Sequence, residues 1–232
     1  MRILTIFAHP DDESYGPSGT LIHYAANHAD ISLLTLTHGE NGRLGPCKNL
    51  LKEEVMKLRR SELECAASVI GIKDLHIYNF PDGNLNSISN TEGVVFIKKC
   101  IEDKKPDIIL TFHENGITGH PDHITTSKWV FSAIQCINFS PTLYYFGISA
   151  SYSDIIPGRK LYPIPRSQIT HEISVSEYIN EKVSAIRCHK SQIEIFNKID
   201  EVPDRFKRIN SREIFSRVWP KTNQNQKIMT HF

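Results

Sequence analysis

The sequence predicts an α/β fold with a mostly parallel central sheet. Five apolar runs rich in β-branched residues alternate with segments of helical periodicity, which is typical of βαβ units around a sheet buried on both faces. The chain has 232 residues, of which 40% are hydrophobic and 23% are charged, enough for one sizeable core. We therefore expect a single domain over residues 1–232.

The predicted elements alternate regularly through the first two thirds of the chain. Strands are predicted at residues 3–8, 31–37, 75–80, 107–112 and 142–148, and helices at residues 18–29, 50–71, 92–105 and 123–137. Gly71 is expected to end the second helix, and residues 105–107 (Lys-Pro-Asp) separate the third helix from the next strand.

The pattern loosens after about residue 150, where several prolines interrupt it. Short strands are expected at residues 160–164 and 170–175, followed by a helix over 176–192 with Ser176 as its N-cap. The basic stretch 205–217 is predicted to be a solvated, partly helical surface. An edge that contacts anions is the alternative for that stretch.

Composition excludes several classes of protein. A net charge of +1 does not favour nucleic acid or an anionic membrane as a partner, and no apolar stretch approaches the roughly 18 residues of a membrane helix. The first residues are predicted to form a strand and not a secretory leader. The five cysteines are an odd number without a CxxC pair, which argues against a disulfide framework and for a reducing, cytoplasmic location.

Two motifs carry the chemistry, and both follow predicted strands. Residues 8–13, AHPDDE, come directly after the first strand, and residues 119–123, GHPDH, come shortly after the fourth. Because parallel strands end at one edge of a sheet, where such folds bind ligands, we expect the two motifs to form one site. Three adjacent acids beside a histidine repel one another unless a cation is there to hold them.

The residue types in these motifs fit a hydrolytic metal centre. Zinc in such centres takes three protein ligands, often two histidines and one carboxylate, and lowers the pKa of its water to about 7. His9, Asp12 and one histidine of GHPDH provide that set. Asp11 is then the candidate general base, and a cationic His120 held by Asp122 is the candidate oxyanion partner. The alternative for each motif alone is an ordinary helix-capping turn.

The two motifs resemble those of the PIG-L/LmbE-type zinc-dependent N-acetylglucosaminyl deacetylases. Further segments match the order of this family: THGENG at 37–42, LRRSELECAASVIGI at 58–72, NFPDG at 79–83 and KVSAIRCHKSQ at 182–192. The resemblance implies a Rossmann-like three-layer α/β sandwich. It also implies removal of the acetyl group from an N-acetylglucosamine conjugate by water activated at the metal.

The resemblance also implies a role for particular residues. The metal ligands are His9, Asp12 and His123, the general base is Asp11, and His120 with Asp122 stabilises the oxyanion. Arg59, or in another register Arg60, contacts sugar hydroxyls, and Asp82 faces the sugar. Zinc is the expected ion, with Fe²⁺ and other divalent ions as alternatives. A homo-oligomer, a trimer or hexamer, is expected, and the aglycone is left open.

Three alternatives compete with this hypothesis. A non-catalytic metal-binding or sugar-binding module would not need Asp11 beside Asp12. An amidase that acts on another acyl-amino sugar would use the same groups. A dinucleotide-dependent oxidoreductase would need a GxGxxG turn after the first strand, which is missing. Of the other histidines, His38 and His113 are candidates to support the site, and the role of His189 is left open.

Overall fold

The computed structural model describes residues 1–42, 45, 49–150, 160–201, 204–221 and 228–232. Seven strands form one sheet in the order β3-β2-β1-β4-β5-β7-β6. Their bounds are β1 Arg2–Phe7, β2 Asp30–Thr35, β3 Asp74–Ile77, β4 Ile108–Phe112, β5 Thr142–Gly147, β6 His171–Ser174 and β7 Arg212–Trp219. The first five are parallel, and β7 runs antiparallel to both β5 and β6. The predicted mostly parallel α/β sheet is confirmed.

Helices cover both faces of this sheet. Their bounds are α1 Asp12–Tyr15, α2 Ser18–Ala26, α3 Lys52–Ile70, α4 Asn90–Lys104, α5 Gly116–Gly119, α6 Pro121–Ile134, α7 Ile179–Cys188, α8 Glu194–Ile199 and α9 Arg205–Ile209. The helices α2 and α3 lie on one face, where α7 packs against them, and α4 and α6 pack together on the other. Among the described residues, none of the helices is long and apolar enough to cross a bilayer.

Local signals explain where the main helices begin and end. Gly71 adopts φ 89° at the end of α3, as expected of a residue without a Cβ. The Ser89 hydroxyl accepts the N–H of Glu92 at 3.2 Å and so caps α4. Pro121 occupies the first turn of α6, where a missing N–H costs nothing.

Several predictions beyond residue 150 are wrong. Residues 160–164 form no strand: two of their N–H groups, those of Tyr162 and Ile164, bond instead to the carbonyls of Ile117 and Ile148, at 2.7 and 2.8 Å. Ser176 does not cap α7, because a 3₁₀ turn over Ser176–Tyr178 precedes that helix. The strand predicted at 170–175 is confirmed as β6. Residues 151–159 lie outside the described part.

The basic stretch 205–217 is partly helical, as predicted, but its second half is a sheet strand. Ile214 and Phe215 are buried there, and β7 lies between β5 and β6. This half of the stretch therefore belongs to the sheet and not to a solvated surface. Ile214 and Phe215 form too short an apolar run for the hydrophobic pattern alone to predict a strand.

Cysteine usage also differs from the prediction. Cys65 and Cys188 form a disulfide, with Cα atoms 5.7 Å apart and a sequence separation of 123. They meet because α3 packs on α7, a contact that spacing along the chain does not reveal. Cys100 is buried, Cys136 is exposed, and Cys47 lies outside the described residues. The argument for a reducing compartment loses its support.

Candidate active site

The two predicted motifs meet at the carboxyl edge of the sheet. His9 follows β1 by two residues, and the loop after β4 leads to GHPDH at the start of α6. Since β1 and β4 are hydrogen-bonded neighbours, both motifs line one cavity of about 870 Å³. The loops after β2 and β3 contribute Asn41 and Asp82 to the same cavity.

His9 lies at the centre of a ring of carboxylates. Its Nε2 is 3.1 Å from both Asp122 Oδ2 and Asp82 Oδ1, and its Nδ1 is 3.4 Å from Asp12 Oδ2. Burial alone would lower the pKa of His9, but hydrogen bonds to the three carboxylates raise it well above its usual value. This position therefore favours positive charge.

His123 completes the ligand set predicted for the metal. Its Nε2 is 3.2 Å from both Asp12 Oδ1 and His9 Nδ1, while its Nδ1 donates to the Gly116 carbonyl at 3.1 Å. That bond leaves the Nε2 lone pair facing the cluster. The ring stacks on Phe112, with centroids 4.0 Å apart, so packing also fixes its direction.

These three side chains fit a divalent cation. Two imidazole nitrogens and a carboxylate lie within 3.4 Å of one another, an arrangement of donors typical of catalytic zinc sites. Burial raises the pKa of Asp12, but the imidazoles of His123 and His9 hold it well below its usual range. Two other sets also lie within 4.8 Å: His9 with His120 and His123, and His9 with Asp82 and Asp122.

Asp11 lies beside this set in an unusual backbone conformation. Its φ is 108°, in the left-handed region that side chains other than glycine rarely occupy. Its Oδ2 is 3.2 Å from an Arg59 Nη2 donor, and its N–H donates to Glu13 at 3.0 Å. Burial raises the pKa of Asp11 to about 6, against the lowering effect of Arg59. A carboxyl group with this pKa can accept a proton near neutral pH and release it again.

His120 and Asp122 have different contacts from those predicted. The Asp122 carboxylate accepts the N–H groups of Gly83 at 2.7 Å and Leu85 at 3.0 Å and faces His9. His120 Nδ1 instead accepts the backbone N–H of Asp122 at 3.2 Å, so its Nε2 carries the proton. Burial lowers the pKa of His120, and nearby imidazoles lower it further. Both effects favour the neutral imidazole, whereas a cation held by the Asp122 carboxylate was predicted.

Of the two adjacent arginines, Arg59 belongs to the cavity. It is 3% exposed and donates to the carbonyls of Gly39, at 2.7 Å, and Pro10. Arg60 is half exposed and pairs with Glu64 on the surface, 3.5 Å away. This placement favours the register with Arg59. A contact between Arg59 and a sugar stays a prediction.

Asp82 lies closer to the ligand cluster than its predicted role suggests. One oxygen faces His9 at 3.1 Å, and the other accepts the N–H of Asn41 at 2.7 Å. Burial raises its pKa, but the bond to His9 outweighs this and lowers it. Of the candidate supporting residues, His113 is buried and bonds Gln168 at 3.1 Å, and His38 Nδ1 is buried without a partner in the described structure.

A further set of residues surrounds Asp11, and their contacts were not predicted from the sequence. Glu13 and His189 form a buried pair 2.7 Å apart, and Glu62 accepts two hydrogen bonds from Ser191. All four residues fall within segments that match the family order, which was the only signal for them. Nothing in local periodicity brings these segments together.

Fold and site together define an α/β protein with a buried cluster of imidazoles and carboxylates at the carboxyl edge of its sheet. The family model described as GlcNAc-PI de-N-acetylase matches residues 4–134, more than half of the chain. The chain therefore belongs to the PIG-L family, and the resemblance predicted from the motifs is confirmed.

Individual relatives agree with this assignment. The probable N-acetyl-alpha-D-glucosaminyl L-malate deacetylase 2 of Bacillus anthracis is 32% identical over 195 residues, covering 82% of this chain and 81% of the relative. The N,N'-diacetylchitobiose deacetylase from Pyrococcus horikoshii has a TM-score of 0.70 at 21% identity, covering 94% of this chain and 83% of its own.

The 4-carboxy-2-hydroxymuconate hydratase GalB from Pseudomonas putida KT2440 has a TM-score of 0.74 at 17% identity, covering 97% of this chain and 99% of its own. At these identities the likeness to both solved structures shows a shared fold alone.

Proposed function

We propose that the protein is a zinc-dependent deacetylase that hydrolyses the acetamide of an N-acetylglucosamine conjugate. The observation that carries this proposal is the convergence of His9, Asp12 and His123 donor atoms within 3.4 Å, directly beside the carboxylate Asp11. A protein that only bound metal would have no use for Asp11 in that place. Named deacetylases among its relatives support the same reaction.

The roles of the residues follow from their contacts. His9, Asp12 and His123 would hold the ion, and when bound it supplies Lewis-acid polarisation and a lower pKa for water. Asp11 takes one proton as the water oxygen bonds to the acetyl carbon. His120 donates its Nε2–H to the tetrahedral oxyanion. Asp11 then gives its proton to the amine nitrogen as the carbon–nitrogen bond breaks, which releases acetate and the amino sugar.

Substrate binding is assigned to the wall of the cavity that follows β2 and β3. Arg59 and Asp82 lie there, both buried and fixed by hydrogen bonds. Their opposite charges suit the hydroxyl groups of a sugar, which both donate and accept hydrogen bonds. We propose a small acetamido sugar as the substrate.

We keep a homo-oligomer and a cytoplasmic location as predictions, which sedimentation and cell fractionation would test.

The decisive experiment measures release of primary amine from a panel of N-acetylglucosamine conjugates. Metal-stripped protein, the same protein reconstituted with Zn²⁺ or Fe²⁺, and a reconstituted Asp11→Asn variant are compared. We expect release only with metal and with Asp11 intact. Zinc-loaded protein that binds a conjugate without releasing amine would overturn the proposal in favour of a binding module.

A further inference from the structure

Glu13 and His189 form a buried pair that the proposed reaction does not use. Both side chains are fully buried, and His189 Nε2 lies 2.7 Å from Glu13 Oε1. The hydroxyl of Ser14 donates to the same oxygen at 2.5 Å. Burying a carboxylate and an imidazole costs free energy unless both are paired, so their presence needs an explanation.

The second oxygen of Glu13 holds the backbone of Asp11. Glu13 Oε2 accepts the Asp11 N–H at 3.0 Å. Asp11 has φ 108°, and a non-glycine residue in this region is strained unless its surroundings fix it there. Arg59 contacts the carboxylate of the same residue at 3.2 Å. Asp11 is therefore held at its backbone by Glu13 and at its side chain by Arg59.

His189 is in turn fixed by helix α3. Two residues beyond it, Ser191 donates its N–H and hydroxyl to the carboxylate of Glu62, at 2.8 and 2.6 Å. Glu62 lies on α3 one turn after Arg59. The same helix therefore contacts the Asp11 carboxylate through Arg59 and holds the segment after His189 through Glu62. The disulfide between Cys65 and Cys188 joins the same helix to the residue before His189.

Charge supports this arrangement. Burial would lower the pKa of His189, but the charge of Glu13 and its hydrogen bond raise it. This direction favours the charged imidazole, which offsets the charge of Glu13. Without it, a second buried negative charge would lie two residues from Asp11 with only hydroxyl and amide partners.

We infer that Glu13 and His189 are positioning residues for Asp11. Glu13 fixes the backbone of Asp11, and His189 fixes Glu13, so that the Asp11 carboxylate keeps one orientation toward the ligand cluster. This inference rests on the proposed function for its kinetic consequence, but the geometric claim about the Asp11 backbone stands apart from it.

The test compares His189→Gln and Glu13→Ala with His171→Gln. His171 is an equally buried histidine on β6 that contacts Tyr144 and Thr170 and none of the cavity-lining residues named above. We expect the first two variants to lower kcat by about 10- to 100-fold with KM within about twofold and zinc content unchanged. Glu13→Gln should keep more activity than Glu13→Ala, because its amide oxygen still accepts the Asp11 N–H. His171→Gln should lower Tm but not kcat.

A double-mutant cycle separates positioning from general destabilisation. In an Asp11→Asn background, His189→Gln should have little further effect on kcat, because both changes act on one group. Equal fold losses in both backgrounds would overturn the inference. A kcat within twofold of the wild type for folded His189→Gln and Glu13→Ala would overturn it as well.

Hydrogen exchange of the Asp11 amide, followed by NMR, tests the geometry without catalysis. We expect protection in the wild type and in His171→Gln, and at least tenfold faster exchange in Glu13→Ala. If the wild type releases no amine, the proposed function fails, and this measurement alone decides the inference. Unchanged exchange in Glu13→Ala would then refute it.

Discussion

Two buried charged clusters flank the segment that follows β1, and they differ in how far their charges are satisfied. In one, Lys182 donates to Glu213 at 2.5 Å and to the Gly16 carbonyl at 2.6 Å. Glu213 also accepts the N–H groups of Gly19 and Thr20, both at 2.9 Å, at the start of α2. This cluster, which we call the Lys182 cluster, pairs each charged group with an opposite charge or a backbone group.

The cluster around His9 has the opposite character. It sets two imidazole nitrogens 3.2 Å apart and packs Asp12, Asp82 and Asp122 around one histidine. Like groups stand next to like groups, which is unfavourable unless a cation separates them. A buried charge whose partners are all present fits a structural role, whereas an excess of one kind of group indicates a site that binds something else.

The largest expected effect concerns the ligand set. Asp12→Asn should reduce zinc binding to background and abolish amine release, because it removes the carboxylate that faces both His9 and His123. Asp82→Asn and His120→Asn should keep stoichiometric zinc. Zinc content after dialysis, measured by atomic emission, checks this. Zinc loss in His120→Asn with retention in Asp12→Asn would favour the set of three histidines.

Asp11→Asn should lower kcat by about 10²- to 10⁴-fold while zinc remains bound, because a general base is lost. Its free energy of unfolding at pH 7 should not fall, since burial raises the pKa of Asp11 and so opposes its charged form. Steady-state amine release and urea unfolding measure the two quantities. A variant with wild-type turnover would remove Asp11 from the reaction.

Lys182→Met, in the Lys182 cluster, should lower stability and leave kcat largely unchanged, the opposite of the effect expected for Asp11→Asn. Removing one partner leaves Glu213 buried with an uncompensated charge, so the free energy of unfolding should fall by about 3–5 kcal/mol. Folded Lys182→Met should keep most of the kcat of the wild type. Urea unfolding checks the loss, and the exposed pair of Arg60 and Glu64 provides the control, because Arg60→Met should change stability by less than about 1 kcal/mol.

The smallest expected effect is on the pH dependence of the free energy of unfolding, because the pKa values of the buried histidines His171 and His9 shift in opposite directions. Burial lowers the pKa of His171 to about 4, whereas three carboxylates raise that of His9. Below about pH 6.5, His171 is protonated in the unfolded chain but stays neutral in the folded protein. The free energy of unfolding therefore falls as the pH drops from 6.5 toward 4. This contribution is about 2 kcal/mol between pH 7 and pH 5. Urea unfolding of the wild type and His171→Gln at both pH values isolates it, and parallel curves would contradict it.

The sequence predicted the elements and site residues that are specified by nearby residues, all within the first two thirds of the chain. The first five strands and four helices follow from period and punctuation, and His9, Asp11, Asp12, His120, Asp122 and His123 follow from motif chemistry at strand ends. These elements lie close to their predicted bounds because each is specified by its own residues.

What the sequence did not predict depends on contacts between distant segments. The strand β7 pairs with β5 and β6 across more than 35 residues, the disulfide spans 123, and Glu13 meets His189 across 176. No periodicity specifies such pairs. The lowered pKa of His120 was not predicted either, because it follows from burial and from neighbouring imidazoles.

The left-handed backbone of Asp11 also bears on how this sequence can change. Glycine adopts φ 108° without steric cost, so Asp11→Gly relaxes the backbone at the same step that removes the carboxylate. A search for stabilising substitutions would select that change early and discard the proposed reaction with it. Position 11 is thus one where selection for a robust fold and selection for turnover pull in opposite directions.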